Sequence, residues 1–543
     1  MTHTAAAVGV ALCASAWMVA PAPVVAAIAG VVRIDTGQVT GGPTRDPAVT
    51  VFRSLPYAAP PVGELRWRPP APPAAWDGVR KADQPGPICP QTGSGNGRTL
   101  SEDCLNLDVW TAAGSAGERR PVMVWFHGGG DGFGAGNSPQ FDGEGLARKG
   151  AVLVTVNYRG GPFSQLSTPE LSSESGHNAS GDYGLMDAAA ALQWVRRNIA
   201  AFGGNPGNVT IFGQSFGAGL EQFLSASPLA KGLFHKMILQ SHARYERDPE
   251  PHTSGYRTLK KAEADGVAFA KDLGVSTLEE MRALPWEKVI ATYRAEEAAR
   301  SERGVFWTFI LDGYVMPRTF AEIYAAGAAA DVAVISGDNR DETGSSPDTA
   351  YDLIVSGTAA RGNFPAPAKV ADYLAASRRK MGAMSDEFLK LYPAGNDREA
   401  FLSASAAARD GSHVSTWLWA TSWRRKETKP VYLYVWTHAP PGPNHDLAGA
   451  SHGSEIAYVF DHVDPAPAAW SDGDRRIADT MSSYWINFAS TGDPNGPGLP
   501  RWPAFDARTA QVMELGENFR PMPVTEKERM DFWKRFYASQ PAN

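Results

Sequence analysis

Cysteine is scarce in this chain, with three in 543 residues. Cys13 falls in an apolar, Ala-rich opening stretch, which leaves Cys89 and Cys104 in the body of the chain. An even, closely spaced pair in an exported chain reads as one disulfide. Ligand-like groupings are also lacking. His438 and His445 lie seven apart in a Pro-rich loop, without the regular scaffold a metal site uses, so no metal is expected. Basic tracts are absent and the net charge is only −7, which argues against a nucleic-acid partner. The Gly-rich runs match neither the phosphate-cradling loop nor the dinucleotide fingerprint, so no cofactor is expected. After residue 27 no apolar run is long enough to span a bilayer, and no internal repeat or low-complexity segment occurs.

Apolar and aromatic residues are abundant. A hydrophobic fraction of 43% with 16 Trp suffices for a large core and excludes wholesale disorder. Residues 4–27 are apolar and end Pro21-Ala-Pro-Val-Val-Ala-Ala27, as a secretory signal peptide cut after Ala27 would, although the segment before them has His3 and no Lys or Arg. The expected location is therefore secreted or periplasmic, with no stable membrane insertion once the leader is gone. Residues 31–41 alternate and turn as a hairpin would. Pro121 to Phe126, Ala151 to Val156, Val209 to Phe212, Lys236 to Gln240, Asp331 to Ser336 and Pro430 to Trp436 read as buried strands. A helix over 182–201 is marked by apolar residues at helical spacing, with Asp182 placed to cap it. Strands alternating with helices predict an α/β chain whose large, mostly parallel sheet is covered on both faces. Two polar helical stretches, about 255–300 and 365–428, read as excursions from the sheet that cover a site. The division expected is a leader over 1–27 and one unit over 28–543.

The candidate chemistry centres on Gly213-Gln-Ser215-Phe-Gly217. A serine between glycines, directly after a buried strand and before a helix, forms a sharp turn that pushes its hydroxyl out of the sheet. The pattern alone is weak, because Gly449-Ala-Ser451-His-Gly453 also matches it. A Pro/Gly-rich loop precedes that second match, so context selects Ser215. A serine hydroxyl needs a base within hydrogen-bond reach, and the base needs an orienting carboxylate. Glu342 follows one sheet strand and His452 follows the next, and the order Ser, acid, His suits this kind of fold. By chemistry alone Asp341 rivals Glu342, Asp338 less so, and His438 and His445 rival His452. Gly128-Gly129-Gly130 after a core strand suits an oxyanion hole, with the N–H of Phe216 as a further donor.

Taken together, Glu102 to Trp110, His127-Gly-Gly-Gly130, Asn157-Tyr-Arg159, Ala201 to Pro206, the Ser215 turn, Asp338-Asn-Arg-Asp-Glu342 and Gly449 to Phe460 resemble the type-B carboxylesterases, the cholinesterase-like α/β hydrolases, in their bacterial branch. The resemblance runs from about residue 30 to 537. It implies the α/β-hydrolase fold and hydrolysis of small-molecule carboxylic esters through an acyl-enzyme. It implies Ser215 as nucleophile, Glu342 as acid, His452 as base, and oxyanion donors at Gly129, Gly130 and Phe216. It also implies a Cys89–Cys104 disulfide and a supporting hydroxyl at Ser241, with Gln214 beside the site. Departures cluster there. Phe216 stands for the usual Ala, Gln214 for the common Glu, His242 for a Gly and Asp131 for an apolar residue, and Gly160 to Gln165 is atypical. Two further readings are open: an esterase for bulky polycarboxylate esters of the fumonisin type, which Arg159 and Arg244 would suit if they line the pocket rather than stand on the surface, where arginine is more often found, and a non-catalytic cholinesterase-like binding module.

Overall fold

A computed structural model of the chain describes all residues except 3–27, 29, 94, 131–132, 250–254, 300–307, 343, 358–368, 427, 464–468 and 543. Nearly all of the expected leader therefore lies outside the described residues, as does Asp131. The strands are β1 (Val31–Ile34), β2 (Gly37–Pro43), β3 (Thr50–Pro56), β4 (Val79–Ala82), β5 (Asn106–Thr111), β6 (Arg120–Phe126), β7 (Val152–Val156), β8 (Gly204–Gln214), β9 (Lys236–Gln240), β10 (Tyr256–Thr258), β11 (Phe309–Leu311), β12 (Ala333–Asn339), β13 (Val431–Trp436), β14 (Gln511–Leu515) and β15 (Arg520–Pro523). All but β10 and β11 form one sheet, in the order β1-β2-β3-β5-β7-β6-β8-β9-β12-β13-β14-β15, with β4 on β2. Its centre, from β7 to β14, is parallel throughout. Its two edges are antiparallel, from β1 to β7 on one side and at β14–β15 on the other.

Strand alternation divides the apolar residues into two cores, one on each face. Val122, Val124 and Phe126 of β6 join one core, and Met123 and Trp125 the other. In β13 the same alternation sends Val431, Leu433 and Val435 one way and Tyr432, Tyr434 and Trp436 the other. Helices Tyr183–Asn198 and Phe216–Ala226 cover the first face, and helix Asp472–Thr491 covers the second. Burial on both faces explains why the central strands read as continuous apolar runs.

One local expectation is corrected. Asp182 precedes the helix Tyr183–Asn198, but its side chain does not cap it. Both carboxylate oxygens instead accept from the N–H of Ile310 at 3.1 Å, tying β11 to the helix start. Asp182 sits at φ 54°, so the chain turns too sharply there for the carboxylate to fold back on its own helix. Described residues of the two expected excursions comprise β10 with helices Leu259–Leu273, Leu278–Ala283 and Trp286–Ala299, and helices Val370–Met381, Ser385–Leu391 and Asp397–Trp423.

Cys89 and Cys104 are joined as a disulfide across 15 positions, and among the described residues no helix is long and apolar enough to cross a membrane. Closing a loop of that length restricts the unfolded chain and contributes about 3 kcal/mol. Denaturant unfolding with and without reductant is expected to show that loss, and a Cys89→Ser protein should match the reduced one. Equal midpoints would show that the bond contributes nothing to stability.

Candidate active site

Ser215 occupies the turn between β8 and the helix Phe216–Ala226, at φ 58° and ψ −126°. A side chain rarely adopts this conformation, and the surroundings impose it. The Ser215 N–H donates to Gln240 O at 2.9 Å, and Ser215 O accepts from Gly219 N at 3.0 Å. The flanking glycine Gly217 is required by contact: a Cβ there would lie 2.1 Å from Phe126 O. The turn is thus wedged against the end of β6, and the Ser215 hydroxyl is driven outward.

The loop after β6 lies directly against this turn. A Cβ on Gly128 would come 2.5 Å from Gln214 O and 3.1 Å from the Ser215 Cβ. Gly129, at φ 119°, turns the backbone so that a Cβ there would collide with Phe133 O. Phe216 is the first residue of its helix, so its N–H has no acceptor within the helix. His127 is buried beside this loop. Burial pulls its imidazole down to about 4, and its ring stacks on Tyr158, whose hydroxyl donates to His127 O.

Glu342 and His452 meet on loops leaving the neighbouring strands β12 and β13, with Glu342 Oε2 accepting from His452 Nδ1 at 2.5 Å. Glu342 Oε1 accepts from the Asn339 N–H. Burial pushes the Glu342 carboxyl up, but the His452 imidazole, by charge and hydrogen bond, with smaller help from Ser241 and Asn339, holds it at about 2. The Ser241 hydroxyl lies close enough to contribute to that field without completing a well-aligned hydrogen bond. Burial lowers the His452 imidazole, yet the Glu342 carboxylate more than offsets it, so the ring sits above the ordinary histidine value. His452 keeps 37% side-chain exposure, so a substrate can reach it. Its other nitrogen, Nε2, faces the Gln214 side-chain amide at 3.1 Å. Among the described residues the Ser215 hydroxyl makes no hydrogen bond with His452.

The rivals are engaged elsewhere. Asp341 accepts from Arg340, Arg409 and the Ala450 N–H. Asp338 holds Arg244 and Thr416. His438 bridges Asp474 and Glu517, and His445 pairs with Asp446 on the surface. Ser451 follows a short helix, His445–Ala448, and its carbonyl accepts from Asn339, so the second pattern match forms no strand-to-helix turn. Arg159 and Arg244 do not lie on the surface. Both are buried, Arg159 forked onto Asp187 and Arg244 paired through Nη1 with Asp338, so each charge already has a carboxylate partner.

Of the atypical positions, the Phe216 ring stacks on Phe309 of β11 at 5.2 Å. Nearby, Phe133, in the loop after β6, meets Tyr293 edge-on. The His242 ring packs where a Cβ on Gly219 would stand. Pro162–Gln165 forms a buried helical turn. Two buried residues escaped the sequence reading. Asn339 donates through Nδ2 to Ser451 O and to Glu455 Oε2, and Glu455 also accepts from Gln240. Both stand inside motifs already singled out, Glu455 three positions after His452, and that proximity was the available signal.

A serine at a strand-to-helix turn, an acid–imidazole pair on the loops after β12 and β13 and a glycine loop beside the serine follow the pattern of the serine hydrolases of the α/β-hydrolase class. Residues 29–533 match the model of the Carboxylesterase family. The chain belongs to that family and is a carboxylic ester hydrolase. It is 35% identical to a fumonisin B1 esterase of Sphingopyxis macrogoltabida, over 86% of this chain and 83% of that one. It is 32% identical to a para-nitrobenzyl esterase of Bacillus subtilis (strain 168), over 89% and 94% respectively. Among solved structures, a PNB esterase superposes with a TM-score of 0.76 at 29% identity, over 93% of this chain and 99% of that chain. A Geobacillus stearothermophilus carboxylesterase gives 0.74 at 29% identity, with the same coverage.

Strain at Ser215 has a measurable consequence. Ser215→Gly should be more stable than Ser215→Ala by about 1–2 kcal/mol, because glycine alone relaxes in that region. Denaturant midpoints of the two variants check this, and an Ala variant as stable as the Gly variant would contradict it.

Proposed function

We propose that the chain is an exported serine esterase in which Ser215, His452 and Glu342 act as nucleophile, base and orienting acid. Ser215 Oγ attacks the ester carbonyl carbon while its proton passes to His452 Nε2. The carbonyl electrons move onto the oxygen, which the N–H groups of Gly129, Gly130 and Phe216 receive. Collapse of this intermediate expels the alcohol, which takes the proton from Nε2 and leaves an acyl-enzyme. Water then attacks the acyl carbon, gives its proton to Nε2, and Ser215 recovers that proton as the acid leaves. Glu342 fixes the proton on Nδ1 and stabilises the imidazolium formed in each half.

The observation that carries this reading is the 2.5 Å bond between Glu342 and His452, aimed at the turn that presents Ser215. We further propose residues 28–543 as one catalytic unit, supported by two cores that share one sheet. The contact of Tyr293 with Phe133, in the loop after β6, supports a covering role for the first excursion. Export is supported by the leader-like 4–27 stretch and the disulfide. The polycarboxylate reading has the similarity to a fumonisin B1 esterase in its favour, but its two arginines are already neutralised, so a neutral ester is the substrate proposed.

Ser215→Ala should lose kcat on a short-chain aryl ester on the order of 10⁴-fold or more while keeping its circular dichroism spectrum. Full retained turnover would end the assignment. The pH profile carries its own sign. The imidazolium is favoured by Glu342, so the base is lost as pH falls through a value above 6.5. The acid limb of kcat/KM should therefore lie above that value, and Glu342→Gln should move it downward. A limb that stays in place in Glu342→Gln would show that Glu342 does not act on the base.

A further inference from the structure

The base nitrogen is occupied. A side-chain amide nitrogen carries two N–H groups and no lone pair to offer, so Gln214 Nε2 can only donate. At 3.1 Å its partner His452 Nε2 must then be the unprotonated nitrogen, with the ring proton on Nδ1 facing Glu342. This is the tautomer a general base needs. The Ser215 hydroxyl, however, wants the same lone pair, and it makes no hydrogen bond with His452. Gln214 is itself held, being the last residue of β8 and buried, and Gly453 packs beside its amide.

We propose that Gln214 is a positioning residue that occupies His452 Nε2 in the resting enzyme and favours the neutral imidazole, so that the Ser215 hydroxyl gains the base only by displacing the amide. This rests on His452 being the base of the reaction proposed above. The contest is local. An N–H aimed at Nε2 stabilises the lone pair and is incompatible with a proton there. The other groups facing the ring are Glu342 and Glu455, which favour the imidazolium, and Arg244, which opposes it. A carboxylate at position 214 would join the first two, whereas the amide counters them. The proton of Ser215 therefore meets a base that is ready at lower pH than its two acidic neighbours alone would allow.

The test separates this contact from the rest of the mechanism. Titrating the His452 imidazole by NMR in the Ser215→Ala protein needs no turnover. Adding Gln214→Met, which keeps length and removes the donor, should raise proton affinity on the order of fivefold. Gln214→Glu, which keeps the shape should the Met variant not fold, should raise it on the order of tenfold or more. With Ser215 present, the acid limb of kcat/KM should move upward in the same order. Imidazole titrations that agree within about twofold across Gln, Met and Glu would overturn the proposal. Retained activity in Ser215→Ala would instead strike the nucleophile assignment, and the imidazole titration would still read the Gln214 contact.

Discussion

Asn339 holds the two halves of the site together. Its backbone N–H fixes one oxygen of Glu342, and its side chain ties the Ser451 carbonyl and Glu455. The loops carrying Glu342 and His452 leave adjacent parallel strands, and the Asp341–Ser451 bridge extends their pairing beyond the sheet. Without these bonds two loops would have to find a 2.5 Å contact unaided, against the entropy of ordering both. The Glu342–His452 bond is therefore an outcome of sheet register, fixed before any substrate arrives.

The surrounding charges are arranged so that one carboxylate is left for the imidazole. Burying a carboxylate is costly unless it is paired. Asp338 is paired with Arg244, and Asp341 with Arg340 and Arg409. Glu455 is fully buried and receives two amides rather than a cation, and burial raises its pKa. Of these four carboxylates, Glu342 is the one hydrogen-bonded to the His452 ring. On the helix that follows the Ser215 turn, Phe216 stacks on Phe309.

Strands were the most legible part of the chain, because burial on both faces writes them as apolar runs that need no distant information. The turn at Ser215 was legible for a similar reason: a strand, a strained turn and a helix are consecutive. The choice between Asp341 and Glu342 was not, since adjacent carboxylates differ only in which way the backbone sends them. Arg409, on a distant helix, claims one of the two. Asp182 looked like a cap until β11, 128 positions away, supplied a better donor. Arg159 and Arg244 looked available because their carboxylate partners lie 28 and 94 positions off. The Gln214 contact with the base spans 238 positions and has no local signature. Legibility stops where a polar side chain's partner is set by tertiary packing.

The central claim is that the strained turn presents Ser215, and no other serine, to an imidazole poised by Glu342. Labelling with an aryl phosphonate, followed by peptide mass analysis, tests it most directly. One equivalent of adduct on the peptide containing Ser215, formed far more slowly when Glu342 is replaced by Gln, is the result expected. An adduct on Ser451, or no adduct at all from an active protein, would contradict it.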